Sequence, residues 1–340
     1  MKKAVLFILL AVGVILIGAL IYSFLPSVTI TGKTIAPVNS YLQDQGTLQL
    51  LFCPGDDCEQ ALVDFLSSAN SSLHCAFYDI GLKSVQETLL EKSRKIDVKV
   101  VTDDDYLKKF NHPFVKADKW GLMHNKFCLV DGQAVSAGSM NPTDNDAHKN
   151  NNNLLLIHSR LVAQNYEDEF QEMWNGKFKG GEEVKNPQIR VGTIPLEIYF
   201  CPEDHCAEHV KEELKKATTS IYFLTFSFTH DGIANILLLK HLDNVTIRGI
   251  METRQISEYS KFNVLQYQIG DDHIFKDTNP RNLHHKVFII DEETVLTGSF
   301  NPTAGGNERN DENLLIIRDK GIATRFVEEF RGLYPGKVSG

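Results

Sequence analysis

The sequence predicts an α/β fold made of two tandem α/β sandwiches, each a mixed sheet flanked by helices, paired about a pseudo-two-fold axis. Three observations predict it. Strand-like and helix-like apolar patterns alternate along the chain, as they do where helices layer on a sheet. The order of those patterns repeats once. One polar signature also occurs twice, 160 residues apart: His124-Asn-Lys126-Phe-Cys-Leu-Val-Asp131 with Gly138-Ser139-Met-Asn141-Pro142-Thr143, then His284-His-Lys286-Val-Phe-Ile-Ile-Asp291 with Gly298-Ser299-Phe-Asn301-Pro302-Thr303. A length of 340 residues accommodates two domains.

The elements follow in order. Residues 48–52 form a short apolar run and read as a strand. Residues 59–68 carry Ala61, Leu62, Phe65 and Leu66 at helical spacing. Residues 73–78 are the next strand, 85–92 a helix and 98–102 a third strand. The motif strand is 126–130, followed by strands 134–137 and 154–157 and the helix 161–174. The second half matches in turn at 196–200, 207–217, 220–226, 233–241, 245–250, 286–290, 294–297, 314–317 and 322–333. The last helices share a tail, Tyr166-Glu-Asp-Glu-Phe170 and Phe326-Val-Glu-Glu-Phe330. The repeat therefore covers whole domains: 47–178 and 195–340, joined by a linker at 179–194. A tandem duplication placed face to face makes one chain an intramolecular pseudo-dimer, and hence a monomer.

Residues 4–25 carry no charged side chain and follow Lys2 and Lys3. A helix of that length spans roughly the ~30 Å hydrocarbon core. Residues 1–26 are therefore expected to form an uncleaved single-pass membrane helix, with 27–46 a stalk. A signal peptide has a shorter apolar core and a small-residue cut site, and Tyr22-Ser23-Phe24-Leu25-Pro26 offers no clear one. The leading lysines put the N-terminus in the cytoplasm and the globular part on the outer side of the cell membrane.

Cys53-Pro-Gly-Asp-Asp-Cys58 and Cys201-Pro-Glu-Asp-His-Cys206 are copies of one motif. An outward location favours a local disulfide in each. A zinc site helped by His205 and His209, or free thiols, are the alternatives. Cys75 and Cys128 lie in apolar runs and read as core thiols.

The net charge of −9 opposes a broad basic surface, although a cleft can still be locally basic. Two residues apart on a strand, His124 and Lys126 share a face, as do Ser139 and Asn141; the second copy repeats this with His284, Lys286, Ser299 and Asn301. His285 points the other way. Joined, the halves offer two imidazoles, two ammonium groups, two hydroxyls and two amides, a set suited to a phosphate. One imidazole can attack phosphorus while the other serves the leaving oxygen and then water. This chemistry calls for no metal or cofactor. Asp131 and Asp291 lie at strand ends and read as structural turn residues.

These motifs resemble the paired His-x-Lys-x4-Asp motif of the phospholipase D superfamily, over essentially the whole globular part. The resemblance implies two α/β-sandwich domains with the active site between them, and phosphodiester hydrolysis or transfer through phosphohistidine. Each half is about as compact as the superfamily's small dimeric bacterial endonuclease. The resemblance also implies an acidic residue reaching across to the opposite histidine. The halves differ there: the second reads Asn310-Asp-Glu312-Asn, the first Asn150-Asn-Asn152-Asn. Glu312 would then support His124, with Asn152 facing His284, making His124 the nucleophile and His284 the general acid. Asp144, Asp146 or Asp311 could take the missing carboxylate's place.

The leading expectation is a nuclease-like enzyme acting on single-stranded nucleic acid, with phospholipid headgroups as the alternative substrate. Loops 103–121 and 253–282 interleave lysine and arginine with aromatics, as a nucleic-acid groove does. The compact halves lean the same way; the apolar N-terminus and acidic balance lean towards lipid. A non-catalytic phosphate-binding module is the remaining alternative.

Overall fold

The structure, a computed structural model, describes residues 41–119 and 121–336. The expected membrane helix and most of the stalk lie outside them. Among the described residues no helix is long and apolar enough to cross a membrane.

The first half runs β1 (Leu42–Asp44), β2 (Thr47–Cys53), α1 (Cys58–Ser67), β3 (Ser72–Phe77), α2 (Lys83–Lys92), β4 (Asp97–Thr102), β5 (Val115–Ala117), β6 (Lys126–Val130), β7 (Ala134–Gly138), α3 (Asp144–His148), β8 (Asn152–His158) and α4 (Arg160–Trp174). The second runs β9 (Gln188–Val191), β10 (Ile194–Cys201), α5 (Cys206–Lys216), β11 (Ser220–Thr225), α6 (Asp231–Leu242), β12 (Thr246–Met251), α7 (Phe262–Ile269), β13 (Ile274–Lys276), β14 (Lys286–Ile290), β15 (Thr294–Gly298), α8 (Ala304–Glu308), β16 (Glu312–Arg318) and α9 (Lys320–Leu333). One sheet is ordered β2-β8-β7-β6-β3-β4-β5; the other repeats this as β10-β16-β15-β14-β11-β12-β13 and adds β9 and β1 at its edge. Both are mixed: β3 pairs parallel with β4 and antiparallel with β6, and β11 does the same with β12 and β14.

Burial explains the layering. The motif strands β6 and β14 are buried along their whole length, so both faces need cover. On the outside α1 and α2 close one core, with Leu62, Phe65 and Leu66 of α1 meeting Val85 and Leu89 of α2. Helices α5, α6 and α7 close its counterpart. On the inside a single core joins the two halves: Tyr166 and Phe170 of α4, and Phe326 and Phe330 of α9, pack with residues of both sheets. The duplicated domains thus form one continuous interior.

One expectation is corrected, that Cys75 and Cys128 are core thiols, and one strand pairing is added. The stalk and linker are ordered where they meet: β1 pairs in parallel with β9, and Asp44 accepts from Ser159 Oγ (2.6 Å) and Leu161 N (2.9 Å) at the start of α4. These segments are too short and polar to show a strand period. Cys75 and Cys128 are not free core thiols. They stand opposite each other in the β3–β6 register and form a disulfide, as do Cys53–Cys58 and Cys201–Cys206. No cysteine is free, so neither pair is left for zinc. His209 stacks instead on Tyr199.

Asp131 and Asp291 hold the corresponding corner of each half. Both have left-handed backbones, φ 54° and 51°, which Asp tolerates better than most residues. Asp131 accepts from the backbone N–H groups of Asn70, Ser71 and Ser72 ahead of β3. Asp291 does the same with Thr218, Thr219 and Ser220 ahead of β11.

Candidate active site

The site forms where the two halves exchange backbone. Just before β6, His124 N–H donates to the Asp311 carbonyl at 3.0 Å; just before β14, His284 N–H donates to the Asn151 carbonyl at 2.9 Å. Each histidine is therefore held by the strand entry of the other half. The residue between each His and Lys also crosses over. Asn313 Nδ2 donates to Asn125 Oδ1 at 2.8 Å, and Asn153 Nδ2 to His285 Nδ1 at 3.1 Å. His285 is fully buried and reaches Glu329 with its other nitrogen.

The glycines of the motif have a steric cause. Gly138 and Gly298 have φ of 132° and 141°, and a Cβ at either would stand 2.4 Å from the carbonyl oxygen of Asn153 or Asn313. Close approach of the two strands at this point needs glycine. The next residues, Ser139 and Ser299, are fully buried and accept from Asn153 N and Asn313 N at 3.0 and 2.9 Å. Ser139 also donates to Asn152 Oδ1 at 3.0 Å. Read from sequence as phosphate ligands, both hydroxyls are engaged with the first residues of β8 and β16. Asn141 gives its N–H and Nδ2 to Asp146, and Asn301 accepts from Ser227 N.

His124 Nδ1 is 2.7 Å from Glu312 Oε2, and His284 Nδ1 is 2.8 Å from Asn152 Oδ1. With both Nδ1 atoms engaged, Nε2 is the nitrogen left to react on each ring. Lys126 and Lys286 each donate to the carbonyl of their own motif histidine at 2.6 Å. Tyr78 and Phe226, one residue beyond β3 and β11, complete the walls. Their rings meet His124 and His284 edge-on at 5.0 and 4.8 Å and lie under Lys126 and Lys286. These two aromatics were missed from sequence, because they differ in type and precede the motif by many residues. Asp144 pairs with Lys149 at the surface, while Asp311 accepts from Lys179 N. Neither carboxylate supports a motif histidine.

Burial dominates the electrostatics. It pushes both imidazoles well below the usual histidine range, and the neighbouring lysines add to this. Lys126 is lowered to about 8 by burial; Lys286 falls well below its ordinary value through burial and then through Lys126. Burial raises Glu312 to about 8 against the pull of Lys126. Asp146 is also buried, yet His284 and the amides of Asn150 and Asn141 outweigh that and hold it below the ordinary carboxylate value. A phosphate bound between the two lysines would favour their charged forms.

The model of the family described as "Cardiolipin synthase, PLD-like domain" matches residues 62–174 and 210–334. The chain belongs to the phospholipase D superfamily. It is a phosphodiesterase of that superfamily. It is 31% identical to a phospholipase D of Rickettsia felis over 181 residues, 52% of this chain and 89% of the relative. It is also 31% identical to a mitochondrial cardiolipin hydrolase of Xenopus tropicalis over 130 residues, 35% of this chain and 62% of the relative. Among solved structures, phosphatidylserine synthase of Haemophilus influenzae covers 87% of this chain, and the match covers 89% of that protein, with TM-score 0.66 and 10% identity. That likeness is one of fold.

The loops expected to mark a nucleic-acid groove are less basic than their sequence suggests. Lys109 pairs with Asp79, Lys261 with Asp231, and Arg254 with Glu252 and the carbonyl of Pro280. Lys116 donates to the Trp174 carbonyl. Phe110 and Phe262 are buried in the core. Among the described residues of these loops, the exposed large aromatics are Tyr259 and Tyr267.

Proposed function

We propose that this phosphodiesterase is anchored in the cell membrane by residues 1–26 and hydrolyses phospholipid phosphodiesters on the extracytoplasmic side. It does so without a metal, through a phosphohistidine. His124 Nε2 attacks phosphorus, and an N–P bond forms as the P–O bond to the leaving group breaks. His284 Nε2 gives its proton to that oxygen. Water then gives a proton to His284 and attacks phosphorus, and the N–P bond breaks. Lys126 and Lys286 neutralise the non-bridging oxygens. Both buried carboxylates near the histidines are committed to imidazole and amide partners. Three disulfides support an oxidising compartment.

The observation that carries the lipid reading is the internal pairing of the loop cations. A single-stranded nucleic acid needs a continuous cationic track with stacking rings. Here the net charge is −9, and half of the eight loop lysines and arginines (Lys109, Lys116, Arg254 and Lys261) already have partners. The second reading, a nuclease acting on single strands, is favoured by the exposed Tyr259 and Tyr267. The test is incubation of the full chain in EDTA with phosphatidylcholine and cardiolipin vesicles, and separately with labelled single-stranded DNA and RNA. His124→Asn and His284→Asn serve as controls. Headgroup release abolished in both variants is expected; cleavage of nucleic acid alone would reverse the assignment.

A further inference from the structure

The two halves do not carry their carboxylates at equivalent positions. Under the 160-residue offset, Asn152 corresponds to Glu312, Asn150 to Asn310 and Asp146 to Gly306. One exchange offsets the other: the half with an amide at 152 has a carboxylate at 146, and the half with a carboxylate at 312 has none at 306.

The geometry gives this exchange a purpose. Asn310 Nδ2 donates to Glu312 Oε1 at 3.2 Å, whereas the equivalent Asn150 Nδ2 donates to Asp146 Oδ1 at 2.5 Å. The same amide thus steadies a carboxylate in both halves. Glu312 Oε2 then meets His124 Nδ1, and Asp146 Oδ2 lies 3.6 Å from His284 Nδ1, beside the 2.8 Å bond from Asn152. The backbones are capped alike, with Asp146 N–H donating to Thr143 Oγ1 and Gly306 N–H to Thr303 Oγ1. A Cβ at Gly306 would come within 2.5 Å of the Asn301 carbonyl, so that position is closed to a side chain.

We propose that Asp146 is the positioning carboxylate for His284, so that each half lends one carboxylate to the imidazole of the other. This rests on the assignment of His284 as proton donor. A negative charge beside Nδ1 raises the basicity of the ring and fixes its tautomer, with Nε2 facing the leaving oxygen. Asn152 orients the ring, and Asp146 charges it. The groups acting on His284 are Lys286, Lys126 and His124, which oppose its protonation, and Asp146, which favours it.

The experiment uses the full chain and bis-p-nitrophenyl phosphate. Asp146→Asn keeps an acceptor for Asn141 but removes the charge. Its kcat should fall roughly tenfold or more with little change in KM, within what one acid–base group supplies. The limb of the pH–rate profile set by His284 should move to lower pH. The double variant Asp146→Gly/Asn152→Glu gives the first half the second half's arrangement and should restore both rate and limb. A rate loss with an unmoved limb, or no recovery in a folded double variant, would overturn the proposal and leave Asp146 as a scaffold for Asn141. If Asp146→Asn does not fold, the double variant alone decides, through its activity and limb. Full activity of His124→Asn would instead refute the phosphohistidine reading beneath it.

Discussion

Glu312 Oε2 lies 2.7 Å from His124 Nδ1 across the boundary between the two halves, buried completely. It is the shortest of the carboxylate contacts to a motif imidazole, and it singles out His124 as the ring best supported for attack. Glu312→Gln keeps the size and one acceptor but removes the ionisable group beside Nδ1. Formation of the phosphohistidine should slow by roughly 10²-fold, in the range for loss of a histidine's supporting partner, and its hydrolysis by much less. Rapid-quench trapping of the phosphoenzyme separates the two steps. Equal slowing of both would remove the nucleophile assignment.

Anion affinity should depend on pH with a defined sign. Burial pulls Lys126 down to about 8 and pushes Glu312 up to about 8. As pH rises through 8, Lys126 loses a positive charge and Glu312 gains a negative one. Both changes weaken binding of inorganic phosphate or vanadate. Calorimetry in buffers of different ionisation enthalpy should show proton uptake on binding near pH 8, and affinity should fall above it. Affinity that is flat from pH 7 to 9 would mean that the ammonium groups do not contact the anion.

Much of this was readable before the fold was seen. Strand and helix periods placed the principal elements to within about three residues, because a buried strand such as β6 or an amphipathic helix such as α4 must carry its pattern locally. The motif histidines and lysines stood out because two polar copies cannot be explained by a core. What escaped was set by pairing between distant segments. The Cys75–Cys128 disulfide depends on the register of β3 against β6, and β1 is a strand only because β9 lies beside it. Tyr78 and Phe226 share a position rather than a residue type. The loop cations looked available in sequence because their partners, such as Asp79 for Lys109, lie on other elements.

The buried lysines should cost stability when no anion is present. Lys126 is 2% exposed, and its fall from 10.5 to about 8 corresponds to about 3 kcal/mol of penalty at neutral pH. The sign follows from the depressed value: below pH 8 the penalty is complete, and it fades as pH rises from about 8 towards 10.5. Lys126→Met removes the charge but leaves the His124 carbonyl without this donor, a loss of about 1 kcal/mol. The anion-free variant should therefore be more stable by roughly 1–2 kcal/mol at pH 7, while losing activity and the stabilisation that phosphate gives. Thermal unfolding with and without phosphate measures both. A less stable variant in phosphate-free buffer would show that the protein's own groups compensate the ammonium.

The motif aspartates should act on stability rather than on chemistry. Burial would raise the Asp131 carboxyl, but the backbone N–H groups of Ser72, Ser71 and Asn70 outweigh it and hold it at about 2. Because the folded value is depressed, the stabilisation is complete above the ordinary value of 3.8 and is lost as pH falls from there through about 2. The full shift would be worth about 2.5 kcal/mol; partial hydration of the carboxylate reduces this to roughly 1–2 kcal/mol. Asp131→Asn should lower stability by that amount at pH 7, with the gap to the parent closing as pH approaches 2. Asp291→Asn should behave alike, since Thr218, Thr219 and Ser220 bind its carboxylate in the same way. Once folded, both variants should retain kcat within a few-fold, because neither carboxylate touches the imidazoles. A fall in kcat comparable to that of Glu312→Gln, with stability intact, would instead place the motif aspartate in the reaction itself.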